Sequence, residues 1–73
     1  MRKAEYAVHV RTHTTDTETG WSTKERALLQ AQMLYAAREG HEELGWWACD
    51  VKMRVKGDRW RIMERFSIGR VVL

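Results

Sequence analysis

The strongest constraint on the fold is a period-2 alternation on both sides of Gly57-Asp58. Val51, Met53, Val55, Trp60 and Ile62 fall on one side. Lys52, Arg54, Lys56, Arg59, Arg61 and Arg65 fall on the other. Such alternation reads as β-strand, and Gly accepts the positive φ that a type II′ hairpin needs at its first central position. With Gly57 and Asp58 as the turn, Lys56 faces Arg59, Arg54 faces Arg61, Lys52 faces Met63 and Asp50 faces Arg65. Two of these outward pairs are like-charged, which costs a hairpin roughly 0.2–1 kcal/mol each.

The rest of the chain supplies one more strand and one helix. Residues 4–12 alternate, with Ala4, Tyr6, Val8 and Val10 on one face and Lys3, Glu5, His9 and Arg11 on the other. Residues 12–20 hold five threonines with Asp16, Glu18 and Gly20, and read as a mobile polar loop. Ser22 and Glu25 fit a capping box, and residues 23–39 are rich in helix formers, with Gly40 placed to end the helix. Residues 41–45 read as a loop or one further turn. Residues 47–55 form the next strand, with Trp47, Cys49, Val51, Met53 and Val55 inward. Trp60, Ile62, Phe66 and Ile68 continue that inward face, and Glu64 breaks it, at a bulge or at the strand's end.

The predicted fold is α+β, in the order β-α-β-β. It is a three-stranded, mainly antiparallel sheet of spatial order 1-3-2 with one helix on one face. A chain of 73 residues makes one small domain, 1–73. Such a domain buries only about 60% of its unfolded surface. Four tryptophans partly compensate, because large aromatics bury much area per residue.

Charge distribution says more than the net +3. On the sheet face away from the helix, eight cations (Lys3, Arg11 and the six of the hairpin) stand against Glu5 and Asp50, a predicted net of +6. The remainder of the chain is then acidic. A face of this kind attracts phosphate backbones or acidic protein grooves and makes binding salt-sensitive. The competing reading is a solvated face that keeps sheet edges apart. Trp46 falls on the same face. It is a stacking platform or a partner anchor, or, the preferred reading, a cover for the backbone opposite Gly69.

The helix carries two apolar stripes. Ala27, Leu28, Ala31, Leu34 and Tyr35 form one, and Leu29, Met33 and Ala36 form the other, nearly opposite. One stripe covers the sheet. The second is covered by the chain's own loop or is left for a partner, including a second copy.

Catalytic equipment is not predicted. His9 and His13 on one strand lie about 13 Å apart, too far to share an ion. Cys49 points inward and reads as a buried thiol. Glu64 has no second carboxylate with it, and there is no glycine-rich phosphate loop. No cofactor or metal is expected. A lone cysteine and the absence of a signal-like or membrane-spanning apolar run point to the cytoplasm.

The strand Tyr6-Ala7-Val8-His9-Val10, the helix opening Ser22-Thr23-Lys24-Glu25 and the hairpin Val55-Lys56-Gly57-Asp58-Arg59-Trp60 together give a layout. It resembles that of small phage-encoded inhibitors of CRISPR systems, in element order rather than in any residue motif. The resemblance implies a binder that occupies a nucleoprotein surface, and no site residue is carried over from it. The leading expectation is therefore a non-enzymatic inhibitor or accessory factor. It would dock Arg11, Lys52, Arg54, Lys56, Arg59, Arg61 and Arg65, with Trp46, onto a larger protein or nucleoprotein complex. The alternatives are a module that contacts DNA or RNA phosphates directly, and a homodimer formed through Leu29, Met33 and Ala36. An RNA-binding sheet would carry exposed mid-strand aromatics, and the predicted register puts none there.

Overall fold

The computed structural model describes residues 3–55 and 57–69. Strand β1 (Ala4–Thr12) is followed by a short strand β2 (Asp16–Glu18), helix α1 (Lys24–Arg38), a 3-10 turn (Glu42–Leu44), and strands β3 (Trp47–Val55) and β4 (Arg61–Ile68). The strands form one antiparallel sheet in the order β2-β1-β3-β4. The α+β class is as expected, but two details of the sheet differ.

First, β3 is central and β4 is an edge; the expected order had the last strand in the centre. Burial explains the difference. From Trp47 to Lys52 every residue of β3 is buried, whereas β4 is exposed along most of its length. A strand buried on both faces belongs between neighbours.

Second, residues 12–20 are not a loose loop. Thr12 turns the chain by accepting, at its Oγ1, the backbone N–H of Thr14 and Thr15, while its own N–H bonds Thr15 O at 2.8 Å. Threonine hydroxyls commonly satisfy turns in this way. The chain then runs back along β1, pairing His9 with Glu18, Val10 with Thr17 and Arg11 with Asp16. Thr15, Thr17 and Thr19 alternate with Asp16 and Glu18, a period-2 pattern of β-branched residues that polarity obscured.

Helix α1 starts one residue later than the expected cap. Ser22 is held in a backbone bridge to Tyr6, so Thr23 caps the helix and its Oγ1 accepts the N–H of Arg26. Gly40, at φ +87°, follows the last turn. Ala27 and Ala31 are fully buried on the sheet, allowing a close approach. The core joins them to Val8, Trp47, Cys49, Val51 and Ile68, with Tyr35 tilted against both Trp47 and Phe66. The expected inward set thus holds for β1, β3 and the upper half of β4.

The lower half of β4 departs from it. The register keeps Asp50 opposite Arg65 and Val51 opposite Glu64, then shifts, so that Lys52 faces Ile62 and Met53 faces Arg61. Met63 is the extra residue of a β-bulge. The turn also closes earlier than expected, with Asp58 N–H on Val55 O at 2.8 Å and Gly57 at φ +92°. One extra residue inverts every side chain beyond it. Arg61 therefore joins the face of Met53, and Ile62 joins the face of Lys52; the expected pair of Arg54 with Arg61 does not form. No described helix is long and apolar enough to cross a membrane.

Candidate binding surface

The sheet face opposite α1 collects Glu5, Ala7, His9 and Arg11 from β1, Asp50, Lys52 and Arg54 from β3, Arg65 from β4, and Asp16 and Glu18 from β2. These charges are interleaved and pair off. Lys52 Nζ donates to Glu18 Oε2 at 2.8 Å, and Arg54 Nη2 donates to Glu5 Oε2 at 3.3 Å. Asp50 takes two arginines: Arg65 Nε at 2.7 Å on one oxygen, and Arg11 Nη2 and Arg65 Nη2, each at 3.2 Å, on the other. The bond to Asp50 raises the Arg65 guanidinium above its ordinary pKa. His9 Nε2 contacts Asp16 Oδ1.

This face is therefore an ion-paired layer, and two of its members are barely exposed: Asp50 at 3% and Lys52 at 4%. The acids of β2 supply what the sequence reading left out when it set residues 12–20 aside as a mobile loop. Burying charge is tolerated only when it is paired, and Lys52 is paired from one side by Glu18 and capped from the other by the ring of Trp60, 4.4 Å from Nζ. Trp21 plays a similar part for Arg54, whose guanidinium carbon lies 3.9 Å from its ring centroid. Neither ring was expected here. Trp60 arrives on Lys52 below the register shift, and Trp21 precedes Ser22, whose bridge to Tyr6 sets the local alternation.

The arginines and lysines that carry no ion pair among the described residues lie elsewhere. They are Lys3, Lys24, Arg26, Arg38, Arg59 and Arg61. All but Arg38 gather at one end of the molecule. Ala4 pairs with Val55, Tyr6 with Met53, and Met53 with Arg61, so the start of β1, the end of β3 and the start of β4 meet there. The Tyr6 to Ser22 bridge brings the first turn of α1 to the same end. Two concavities open there. One, about 950 Å³, sets Lys3, Lys24 and Arg26 against Glu5 and Glu25, with Trp21 in its lining. The other, about 210 Å³, includes Arg54, Arg59 and Arg61 with Asp58.

Among the described residues the far end is acidic on balance, with three glutamates against Arg38. There Glu39, Glu42 and Glu43 follow α1, and Gly45 packs against the His13 ring just beyond β1. Glu43 is held below the usual carboxylate range by a backbone hydrogen bond and by His41. The charge asymmetry therefore runs from end to end of the sheet. The sequence reading placed it across the sheet.

The remaining candidates are placed as follows. Lys56 lies outside the described residues. Trp46 is half-buried, and its backbone lies against Gly69, where an added Cβ would stand 3.3 Å from Trp46 Cα. Leu29 and Met33 are 58% and 64% exposed on the outer face of α1, with Ala36 exposed beside them. Cys49 is fully buried, and burial pushes its thiol up to about 11. Among the described residues no group of three or more His, Cys, Asp or Glu side chains is arranged to hold a metal ion.

Comparison with protein-family models, curated proteins and solved structures found no match to this chain.

Proposed function

We propose that this protein is a small non-enzymatic binding module, an inhibitor or accessory factor, that docks its basic end onto an acidic surface of a larger protein or nucleoprotein complex. The observation that carries the reading is the segregation of unpaired cations. Among the described residues, unpaired Lys3, Lys24, Arg26, Arg59 and Arg61 share one end, while the four cations of the open face are already paired with Glu5, Glu18 and Asp50. Unpaired cations keep their full attraction for an incoming anion, whereas paired ones must first give up a partner. Exposed Trp60, between Arg59 and Arg61, adds the kind of aromatic anchor that concentrates binding energy. The likeness in layout to small phage-encoded CRISPR inhibitors points the same way, though β2 adds a strand that their β-α-β-β order lacks.

A direct nucleic-acid contact is the second reading, favoured by Trp21 and Trp60, whose rings can stack on bases. Each already has one face engaged by a cation.

The deciding experiment is affinity capture from the native host at moderate salt, with nuclease, comparing the parent with Arg59→Glu plus Arg61→Glu. Recovery of one nuclease-resistant complex, lost in the double variant, is expected. Equal recovery by the variant overturns the proposal. Loss of every partner on nuclease treatment transfers it to the nucleic-acid reading.

A further inference from the structure

The two long strands that flank β3 are treated differently on their outer sides. The outer edge of β1 is closed by residues 16–22: three β2 pairs, the Thr19 N–H on Val8 O at 2.9 Å, and reciprocal bonds between Tyr6 and Ser22 at 2.8 and 2.6 Å. β4 pairs with β3 on one side and with no described strand on the other. It is eight residues long, and its exposed neighbourhood includes Trp60, Ile62 and Met63 in near succession. An edge of this length with apolar side chains presents unpaired N–H and C=O groups to any extended chain.

Charge selects the occupant. Arg59, Arg61 and Arg65 stand along this edge against Asp58 and Glu64; Asp50 holds Arg65, while Arg59 and Arg61 have no acid partner among the described residues. Two copies meeting edge to edge would oppose like charges, which destabilises strand pairing. An extended segment alternating acidic and apolar residues meets no such penalty and places carboxylates against the arginines. The bulge at Met63 leaves residues 64–68 as the regular pairing run, with the unpaired arginines beyond its lower end. Bulge and arginines deter self-association. The arginines also favour an acidic strand.

We propose that the outer edge of β4 accepts an extended acidic strand of a partner protein as a fifth strand of the sheet. This rests on the proposed function and names its partner chemistry. The test uses the full chain and a synthetic decapeptide of alternating Asp and Val, with two relatives: one N-methylated at alternate amides, the other with Lys replacing Asp. Binding is read by fluorescence anisotropy, and the β4 amides by hydrogen exchange. The Asp-Val peptide is expected to bind, to slow exchange at β4 amides that face away from β3, and to lose at least about tenfold in affinity on N-methylation or on the Lys exchange. Equal binding by the N-methylated peptide, unchanged exchange in β4, or no binding overturns the proposal. So does light scattering that shows a dimer with β4 already protected. N-methylation leaves charge untouched. A peptide that ignores it, while Arg59→Glu plus Arg61→Glu abolishes capture of the complex, therefore removes the fifth strand and leaves the basic end standing. The converse pattern removes the basic end.

Discussion

Glu18 and Lys52 join through a 2.8 Å hydrogen bond across the width of β1, tying the short outer strand to the centre of the sheet. Lys52 is almost wholly enclosed, and Glu18 is its charge partner. Removing one member of an enclosed pair costs more than removing both, because the survivor is left without compensation. Glu18→Gln is expected to lower stability by about 1–3 kcal/mol, while Glu18→Gln with Lys52→Met recovers most of the loss. Urea denaturation of the three proteins checks this. A double variant as unstable as the single one contradicts it.

Asp50 serves two guanidinium groups. Asp50→Asn keeps the shape but leaves Arg11 and Arg65 facing each other over a neutral amide. A loss of about 2–4 kcal/mol is expected, partly offset by added salt. Thermal melts at low and high ionic strength give the measurement. Equal melting temperatures of parent and variant would show that the carboxylate contributes nothing.

Deleting a residue within a strand ordinarily turns the remainder of that strand over. Met63 is the exception, because the register shift already absorbs it: with Met63 removed, Lys52–Ile62 and Val51–Glu64 become consecutive pairs. The deletion is expected to fold with stability within about 1 kcal/mol of the parent, whereas deletion of Val10 from β1 should abolish folding. Circular dichroism melts of the two chains decide it.

The enclosed thiol of Cys49 gives a pH signature. Its folded pKa, about 11, lies above the ordinary thiol value, so the fold favours the neutral form. The stability linked to it is complete below the unfolded-state value of about 8.5, and is lost as pH rises toward the folded value. Between pH 8 and pH 11 the parent should lose more stability than Cys49→Ala, measured by urea midpoints. Parallel pH profiles would refute the assignment.

Much of the sheet was legible because alternation needs only local information. Residues 4–12 and 47–55 occupy the expected strands, and the core side of each follows from its apolar positions. What local pattern could not convey is which partner each strand takes. Strand order depends on burial from both sides, and Ala48 and Lys52 become interior only once Arg65, Glu18 and Trp60 lie around the open face. Glu64 pointed to a bulge or to the strand's end, and a bulge lies beside it at Met63, but the local pattern does not say on which side of Glu64 the register moves. Asp16 and Glu18 were set aside because residues 12–20 look unable to pack. Glu18 is there to neutralise Lys52, contributed by a strand far along the chain, and Asp16 meets His9 on the neighbouring strand.

The register shift at Met63 acts as a phase change in an otherwise strict two-beat repeat. Upstream and downstream of it, odd and even positions exchange sides, so Arg59-Trp60-Arg61 presents to its surroundings the reverse of what its spelling suggests. A natural relative lacking that single position would keep the triplet as it stands, Lys52 still opposite Ile62 and Met53 opposite Arg61, whereas a strand that kept Met63 and paired it with Lys52 would carry the triplet turned over. Loss of that one codon would thus iron the strand flat while leaving both sides of the molecule, and its hydrophobic interior, as they are.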